Sequence, residues 1–427
     1  MAVEPFFDAL PRARTVMARC DLLARFSEED DRLTRRYGTP TLRAAQDAVA
    51  GWMTVAGMTV RRDAIGNLIG RYGGEEARMS FPPSASRMPP LLIGGHLDTV
   101  RDAGKYDGTL GVLVGIACVE RLRAMGEDPV CAVEIVAFAD EEGLRFHTAY
   151  LGSWAFTGTL DPVLLERTDA DGVTVAEAIR AFGGDPSAIV TQGHDLDRYL
   201  GFVEAHIEQG PVLEAEGLPV GVVAAIAGQT RVAVTFTGEA GHAGTVPMAL
   251  RRDALCAAAE FVLAVEEVGR TTEGLVATVG QLAAEPGASN VVPGRVRLTL
   301  DVRHAADAVR REAVTMLLDR ATAIARERGI AVSFENRNDN RAVACDPNLT
   351  ARLAAAVRAT GYPVRRLVSG AGHDAVYVAR SVPTAMIFTP CKDGLSHNEA
   401  ESIEPGEAEA GCQVLFEAVL ARANRAL

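Results

Sequence analysis

The sequence predicts an α/β protein with a smaller α+β unit inserted into it. The chain has 427 residues, more than the ~250–300 beyond which one hydrophobic core usually splits into domains. Short apolar runs of strand length alternate with stretches long enough for helices, the pattern of a sheet covered by helices on both faces. Between about 224 and 338 this pattern gives way to a self-contained set of strands and helices. We therefore expect residues 1–223 and 339–427 to form one domain and 224–338 a second.

The composition is that of a globular protein, and its charge favours small-molecule chemistry. Hydrophobic residues make up 48% of the chain, charged residues 23% and aromatic residues 5%, which are ordinary proportions. The net charge of -13 argues against nucleic acid and against an anionic membrane, because both recruit clustered Lys and Arg. We expect a small-molecule substrate.

The cysteines and the apolar runs favour a cytoplasmic protein. The seven cysteines are scattered and include no C-x-x-C pair, which is typical of reduced thiols. Residues 1–20 contain an early Glu and no continuous apolar segment, and the run "GVLVGIACV" (111–119) is far too short to span a membrane. The interpretation is a protein that is neither exported nor membrane-inserted.

Apolar runs in the larger domain predict buried strands and a connecting helix. The strand-like runs are "LLIGG" (91–95), "VEIVAFA" (133–139), "GFVEAHI" (201–207) and "PTAMIF" (383–388). Residues 110–126 carry apolar side chains at helical spacing and end on a glycine, which predicts a crossover helix between the first two strands. Residues 6–27 predict an amphipathic helix that packs on this domain, and the proline-rich residues 74–90 predict a surface loop.

The inserted unit has the element order β-α-β-β-α-β, which is the split arrangement of ferredoxin-like domains. A strand, a helix, two strands, a helix and a last strand are predicted at 231–238, 251–269, 275–284, 295–303, 308–329 and 331–336. Because "PTAMIF" afterwards returns to the pattern of the larger domain, the unit is interpreted as an insertion.

Histidines and carboxylates follow each of the four strand-like runs of the larger domain. In order along the chain they are His96, Asp98, Asp107, Asp140, Glu141, Glu142, His206, Glu208 and His397. Open α/β sheets present ligands beyond their strand ends. A single histidine, or a pair of glutamates, usually has a structural role. Burying several carboxylates, however, costs free energy unless a cation compensates their charge. The convergence of these side chains therefore predicts a metal site.

Nine ordered motifs resemble those of a known family. They are "GGHLDTV", "YDGTLG", "FADEEGLRF", "AHIEQGPVLE", "GEAGHAGTVPM", "SNVVPG", "LDVRH", "SGAGHDA" and "DGLSHNEAE". In order and spacing they are similar to the hydantoinase/carbamoylase branch of the M20 metallopeptidase-like amidohydrolases, over about residues 40–415. The resemblance implies a phosphorylase/hydrolase-like catalytic domain with a mixed sheet, and a ferredoxin-like lid domain through which the protein dimerises.

The resemblance also implies a centre with two divalent metal ions per subunit. Its protein ligands would be His96, Asp107, Glu142, His206 and His397. Asp107 would bridge the two ions, His96 and His206 would bind one of them, and Glu142 and His397 the other. Asp98 would orient the His96 ring, and Glu141 would be the general base. A mixed N/O donor set without thiolate suits Zn, Mn, Co or Ni.

Further residues match the family's substrate-binding positions. The resemblance implies that Asn290 and Arg303 bind a substrate carboxylate, since Arg offers a two-pronged fork. His242 would polarise the ureido carbonyl from the partner subunit of a homodimer. Closure would take place about hinges near 224 and 338. The pocket would be completed by Gln209, Gly370 and His373.

The expected reaction is hydrolysis of the linear C–N bond of an N-carbamoyl amino acid, with release of ammonia and CO2. Allantoate is the nearest competing substrate, and β-ureidopropionate belongs to the same chemistry. A dipeptidase or aminoacylase of the same family is the second possibility, although "AHIEQGPVLE" and "GEAGHAGT" match the ureido-cleaving branch. The third possibility is a catalytically silent binding protein. Every matched position holds the residue that the family has there, which argues against this possibility.

Overall fold

The structure is a computed structural model that describes residues 12–73, 89–126, 129, 131–191, 196 and 199–423. The loop predicted at 74–90 lies outside these residues apart from its last two positions, as do residues 6–11 of the predicted N-terminal helix. The described chain divides into two compact units. The second comprises Ala225–Ala344 with Val368–Ala371, and the first comprises the remainder.

The elements are numbered along the chain. The strands are β1 Thr59–Arg62, β2 Leu68–Tyr72, β3 Leu91–His96, β4 Val133–Phe138, β5 Gly201–Ile207, β6 Gly221–Ile226, β7 Gly228–Thr237, β8 Gly241–His242, β9 Val276–Glu285, β10 Val291–Val292, β11 Arg295–His304, β12 Ala331–Asn340, β13 Val343–Ala344, β14 Arg366–Ser369 and β15 Thr384–Thr389. The helices are α1 Arg12–Leu23, α2 Pro40–Val55, α3 Thr109–Ala124, α4 Leu151–Phe156, α5 Val175–Ala181, α6 Pro186–Thr191, α7 Val212–Glu216, α8 Ala254–Thr271, α9 Asp307–Glu327, α10 Pro347–Ala359, α11 Ala375–Val378 and α12 Pro405–Ala423.

A mixed sheet has strand order β1-β2-β4-β3-β5-β15-β6-β13, with β14 paired to β6, and its central strands lie in the first unit. The central pairs β3–β4, β3–β5 and β5–β15 are parallel, whereas the flanking pairs β1–β2, β2–β4 and β15–β6 are antiparallel. The four central strands are those predicted from apolar runs, and every residue in them is buried. The predicted α/β fold class with a mixed sheet is confirmed.

Helix α3 packs closely on the parallel strands. A Cβ at Gly111 would overlap the Ala205 carbonyl oxygen of β5, and one at Gly115 would lie 2.8 Å from Ile135 Cδ1 of β4. Both glycines therefore let α3 approach the sheet. This contact determines where the residues just before α3, including Asp107, lie above the strand ends. The predicted helix at 110–126 is observed at 109–124.

Helix α1 buries Val16, Cys20 and Leu23 in the main hydrophobic core of the first unit. It contacts α3 and α12, so the described part of the predicted N-terminal helix packs on this unit.

The second unit is a four-stranded antiparallel sheet with two helices. Its strand order is β12-β7-β11-β9, so the chain order strand, α8, two strands, α9, strand gives the predicted ferredoxin-like arrangement. Phe236, Phe261, Leu298 and Leu317 are buried in its own core. Helix α8 begins three residues later than predicted, because the Asp253 side chain accepts from the N–H groups of its first turn.

None of the helices within the described ranges is long and apolar enough to cross a membrane.

Candidate active site

The strand ends of the first unit bring the predicted metal ligands together. His96 is the last residue of β3, Glu142 follows β4, and His206 is the penultimate residue of β5. Asp107 precedes α3, and His397 lies in the segment after β15. Parallel central strands place their carboxyl ends at one edge of the sheet, which is why residues so distant in sequence meet there.

Asp107 stands between three histidines. Its Oδ1 lies 3.0 Å from His206 Nε2 and 3.8 Å from His96 Nε2, and its Oδ2 lies 3.1 Å from His397 Nε2. Glu142 Oε1 lies 3.6 Å from the same His397 nitrogen. Four possible metal-binding groups are found among the described residues, and within each the ligand atoms lie within 4.8 Å of one another. Two of them are His96–Asp107–His206 and Asp107–Glu142–His397. Asp107 is common to both.

Backbone carbonyls orient the two buried histidine rings. His96 Nδ1 lies 2.9 Å from the Asp98 carbonyl oxygen, and His206 Nδ1 lies 2.9 Å from the Ile207 carbonyl oxygen. Because a carbonyl only accepts hydrogen bonds, each Nδ1 carries a proton and each Nε2 faces Asp107. This is the ring orientation that a metal ligand needs.

Gly108 lets the Asp107 loop approach the first histidine. Its φ is +62°, in the left-handed region, and a Cβ at this position would overlap the His96 ring. Both observations require glycine.

The acidic residues of the cluster are buried against one another. Burial, followed by repulsion from Asp107, raises the pKa of Glu142 to about 8. Burial would also raise the pKa of Asp107, but hydrogen bonds from His206 and His397 hold it well below its usual value. Cations at this position would offset the repulsion among the carboxylates. The mixed donor set of imidazoles and carboxylates therefore fits divalent metal ions.

Glu141 is the candidate base. Its Oε2 lies 3.9 Å from His96 Nε2. Glu141 forms a possible metal-binding group with His96 and Glu142, but it belongs to neither of the two groups that share Asp107. Burial, followed by repulsion from Glu142, raises the pKa of Glu141 well above its usual value. A buried carboxyl with a raised pKa is suited to taking up and returning a proton.

Asp98 binds the loop that carries the two adjacent glutamates. Its Oδ1 accepts from the backbone N–H of Glu141 at 3.1 Å and its Oδ2 from that of Glu142 at 3.0 Å. The same Oδ1 lies 3.7 Å from His96 Nδ1, farther from the ring than the Asp98 carbonyl oxygen is. The carboxylate thus positions the loop after β4 as well as lying beside the imidazole.

The side chain of Gln209 has a defined orientation. Its Nε2 donates to Asp107 Oδ2 and to Ser396 Oγ, both at 3.1 Å. Since a carboxylate accepts only, the amide nitrogen must face Asp107 and the amide oxygen must point elsewhere. Gln209, Asp140 and His397 all have φ between 53° and 57°, a costly conformation for non-glycine residues that is often found at functional sites.

Buried groups behind the histidines were not singled out from the sequence. Glu204 and Asp374 are fully buried, and burial raises the pKa of Glu204 to about 7. The His373 ring, predicted to line the pocket, contacts the His206 ring at 4.6 Å between centroids. Glu204 could have been found, because in a strand it shares a face with His206 two residues on.

Ser396 and Glu401 were also overlooked, although both lie in the quoted motif "DGLSHNEAE". Glu401 accepts from the backbone N–H of Asp107 and from Ser396 Oγ.

The remaining predicted residues lie in the second unit and form two local groups. His242 is exposed on β8, where it pairs with Val291 of β10, and the Asn290 carbonyl oxygen accepts from the N–H of Ala243 at 2.9 Å. His242 and Asn290 are therefore neighbours.

Arg303 forms the other group. Its Nη1 donates to the Gly370 carbonyl oxygen at 2.6 Å. Its Nε and Nη2 donate to the two oxygens of Asp301 at 2.9 and 3.0 Å. Arg303 and Gly370, predicted to bind substrate, are thus in direct contact.

Comparison with known proteins agrees with the fold and the motifs. Residues 92–421 match peptidase family M20/M25/M40. N-carbamoyl-L-amino acid amidohydrolase of Geobacillus stearothermophilus is 41% identical over 387 residues, 91% of this chain and 92% of that protein. A probable allantoate deiminase of Oryza sativa subsp. japonica is 40% identical over 425 residues, 92% of this chain and 84% of that protein. The crystal structure of an amidase of the hydantoinase/carbamoylase family from Burkholderia multivorans has a TM-score of 0.89 at 35% identity, covering 97% of this chain and 98% of that one.

The chain belongs to peptidase family M20. Within that family it is an amidohydrolase of the hydantoinase/carbamoylase branch, which acts on non-peptide C–N bonds. The resemblance inferred from the motifs is confirmed.

Proposed function

We propose that the protein hydrolyses the linear C–N bond of an N-carbamoyl amino acid, at a centre that holds two divalent metal ions. The observation that carries the proposal is the pair of ligand groups that share Asp107, with the buried Glu141 beside them. The identity to the Geobacillus stearothermophilus N-carbamoyl-L-amino acid amidohydrolase supports this substrate class. The products are ammonia, CO2 and the free amino acid.

His96 and His206 would bind one ion, Glu142 and His397 the other, and Asp107 both. Bound ions would polarise the ureido carbonyl and lower the pKa of the attacking water. Zn, Mn, Co or Ni would suit this donor set.

Glu141 moves the proton. It takes one from the water as the C–O bond forms and gives it to the terminal nitrogen as the C–N bond breaks, so that ammonia leaves and the base is regenerated. The carbamate that remains loses CO2 to give the amino acid. The raised pKa of Glu141, due to burial and then to Glu142, supports this role because the carboxyl must hold the proton between the two transfers.

Substrate recognition uses both ends of the ureido acid. The amide oxygen of Gln209, directed away from Asp107, would accept from a ureido N–H, and His373 would line the same pocket. Arg303 would bind the substrate carboxylate through the guanidinium protons that it does not donate to Asp301 and Gly370, and Asn290 and the Gly370 segment would complete the pocket.

The proposal includes a homodimer formed through the second unit, with His242 reaching the partner's centre and the unit closing as a lid. The exposed ring of His242 supports a role beyond its own unit. We also propose a cytoplasmic location, supported by seven cysteines that are all thiols.

Allantoate is the second candidate substrate. It is also a ureido carboxylate, and the 40% identity to the Oryza sativa probable allantoate deiminase supports it. It would yield ammonia, CO2 and ureidoglycine by the same chemistry.

The test is ammonia release by metal-reconstituted protein with N-carbamoyl-L-methionine, N-carbamoyl-β-alanine and allantoate, each repeated with Glu141→Gln. We expect turnover of one of these substrates and loss of at least ~100-fold in the variant. A dipeptide and an N-acetyl amino acid complete the panel. Turnover of these alone would contradict the proposal and favour a peptide-cleaving or deacylating enzyme, and no turnover at all would favour a silent binding protein.

A further inference from the structure

Glu401 joins two loops that carry metal ligands. It is 3% exposed and lies four residues after His397. Its Oε1 accepts from the backbone N–H of Tyr106 at 2.9 Å and from that of Asp107 at 3.1 Å. Its Oε2 accepts from Ser396 Oγ at 2.9 Å. One carboxylate thus links the loop before α3 to the segment after β15.

The space for this carboxylate is built into the Asp107 loop. Gly104 is buried, and a methyl group there would overlap the Glu401 carboxyl group. On the other side, the Lys392 N–H donates to the Ser402 carbonyl oxygen at 2.9 Å, which closes the segment that contains both Ser396 and Glu401. The Asp107 loop therefore leaves room for the carboxylate, and a backbone hydrogen bond joins the two ends of the segment that carries it.

Glu401 also reaches Asp107 by a second route. Ser396 has one hydroxyl proton and two carboxylate neighbours, Glu401 Oε2 at 2.9 Å and Asp107 Oδ2 at 3.4 Å. The proton therefore goes to Glu401, the nearer of the two. Ser396 Oγ is then free to accept from Gln209 Nε2, whose other proton goes to Asp107 Oδ2. The backbone and the side chain of the shared aspartate are both held by this network.

We propose that Glu401 is a positioning residue that sets the distance between Asp107 and His397, and with it the affinity of the ion bound by Asp107, Glu142 and His397. The proposal rests on the dinuclear centre proposed above. Outer partners of metal ligands usually contribute about 10- to 100-fold in metal affinity. The ion on His96 and His206 depends less on Glu401, because those ligands stand on β3 and β5.

The experiment is titration of metal-free protein with Mn²⁺ by calorimetry, with bound manganese counted by elemental analysis. Glu401→Gln keeps an oxygen for the two backbone N–H groups, whereas Glu401→Ala removes all three contacts. Gly104→Ala displaces the Glu401 carboxyl without changing its charge. Glu399→Gln, on the exposed side of the same segment, is the matched control.

We expect wild type and Glu399→Gln to bind two ions. The ion bound by Asp107, Glu142 and His397 should bind at least about 10-fold more weakly in Glu401→Ala and Gly104→Ala. Its affinity in Glu401→Gln should lie between that of these variants and that of wild type. The ion bound by His96 and His206 should bind with nearly unchanged affinity. The melting temperature of the metal-free variants shows separately whether each variant is folded.

Two ions bound with wild-type affinity by every variant would overturn the role of Glu401 and leave the dinuclear centre intact. Equal weakening of both ions, in step with a lower melting temperature, would show a purely structural role and also overturn it. A wild-type protein that binds no manganese, zinc, cobalt or nickel would contradict the proposed function itself.

Discussion

Asp98 accepts a backbone hydrogen bond from Glu141 at 3.1 Å, so the candidate base is held by the residue two positions after the first histidine ligand. The other Asp98 oxygen holds the N–H of Glu142. One carboxylate thus aligns the loop after β4 with the end of β3.

Asp98→Ala removes both acceptors and should lower kcat by about 10- to 100-fold. Asp98→Asn keeps one acceptor oxygen, so its loss should be smaller. Steady-state kinetics with the metal content measured in parallel checks this prediction. Asp102→Asn, on the same loop and partly exposed, should behave as wild type. Equal activity of Asp98→Ala and wild type would show that the loop needs no such support.

Metal binding should release protons from the metal-free protein. Burial lowers the pKa of His206, but Asp107 outweighs this and raises it to about 9. The contact with Asp107 likewise raises the pKa of His397 to about 9. Below that pH both rings hold a second proton that an incoming ion must displace, so apparent metal affinity should rise as pH increases toward about 9.

Calorimetric titration of metal-free protein with Mn²⁺ at pH 7, in buffers of different ionisation enthalpy, measures this release. The apparent binding enthalpy should vary linearly with the ionisation enthalpy of the buffer. The slope of that line is the number of protons released, which should be roughly one or more per protein. A buffer-independent enthalpy together with a pH-independent affinity would contradict the prediction.

Arg303→Lys should raise KM by about 10- to 100-fold with a smaller effect on kcat, because Lys cannot keep the contacts with Asp301 and Gly370 and also donate to a substrate carboxylate. Arg297→Lys is the control, since Arg297 lies on the same strand, exposed and paired with Glu285. Steady-state kinetics with the best substrate of the ammonia assay gives the comparison. An unchanged KM would place the substrate carboxylate elsewhere.

Gly111→Ala should destabilise the protein by about 1–3 kcal/mol, because the added methyl group would overlap the Ala205 and Gly94 carbonyl oxygens. Gly51→Ala is the matched control. Gly51 lies in the interior of α2 with nothing within 4 Å of its added Cβ, so helix propensity should stabilise that variant by about 0.5–1 kcal/mol. Urea unfolding of both variants measures the difference. Stability of Gly111→Ala equal to wild type would show that α3 can shift.

The central strands could be predicted because their residues are buried on both faces and appear as continuous apolar runs, as in β3 and β5. The edge strand β1, "TVRR", alternates between exposed and partly buried residues over only four positions, and β2 is five residues long. Such short segments carry too little periodicity to be distinguished from loops.

By itself the sequence determined which residue types stand at the strand ends, which motifs mark the family, and the element order of the inserted unit. These properties are local, since periodicity, spacing and side-chain chemistry are written in neighbouring residues. Only the tertiary structure decided which oxygen of Asp107 faces His206 and which faces His397. It also decided that Glu401 binds the backbone of Asp107, 294 residues away. Such contacts depend on how α3 and the loops pack against the sheet, and no short stretch of sequence encodes that packing.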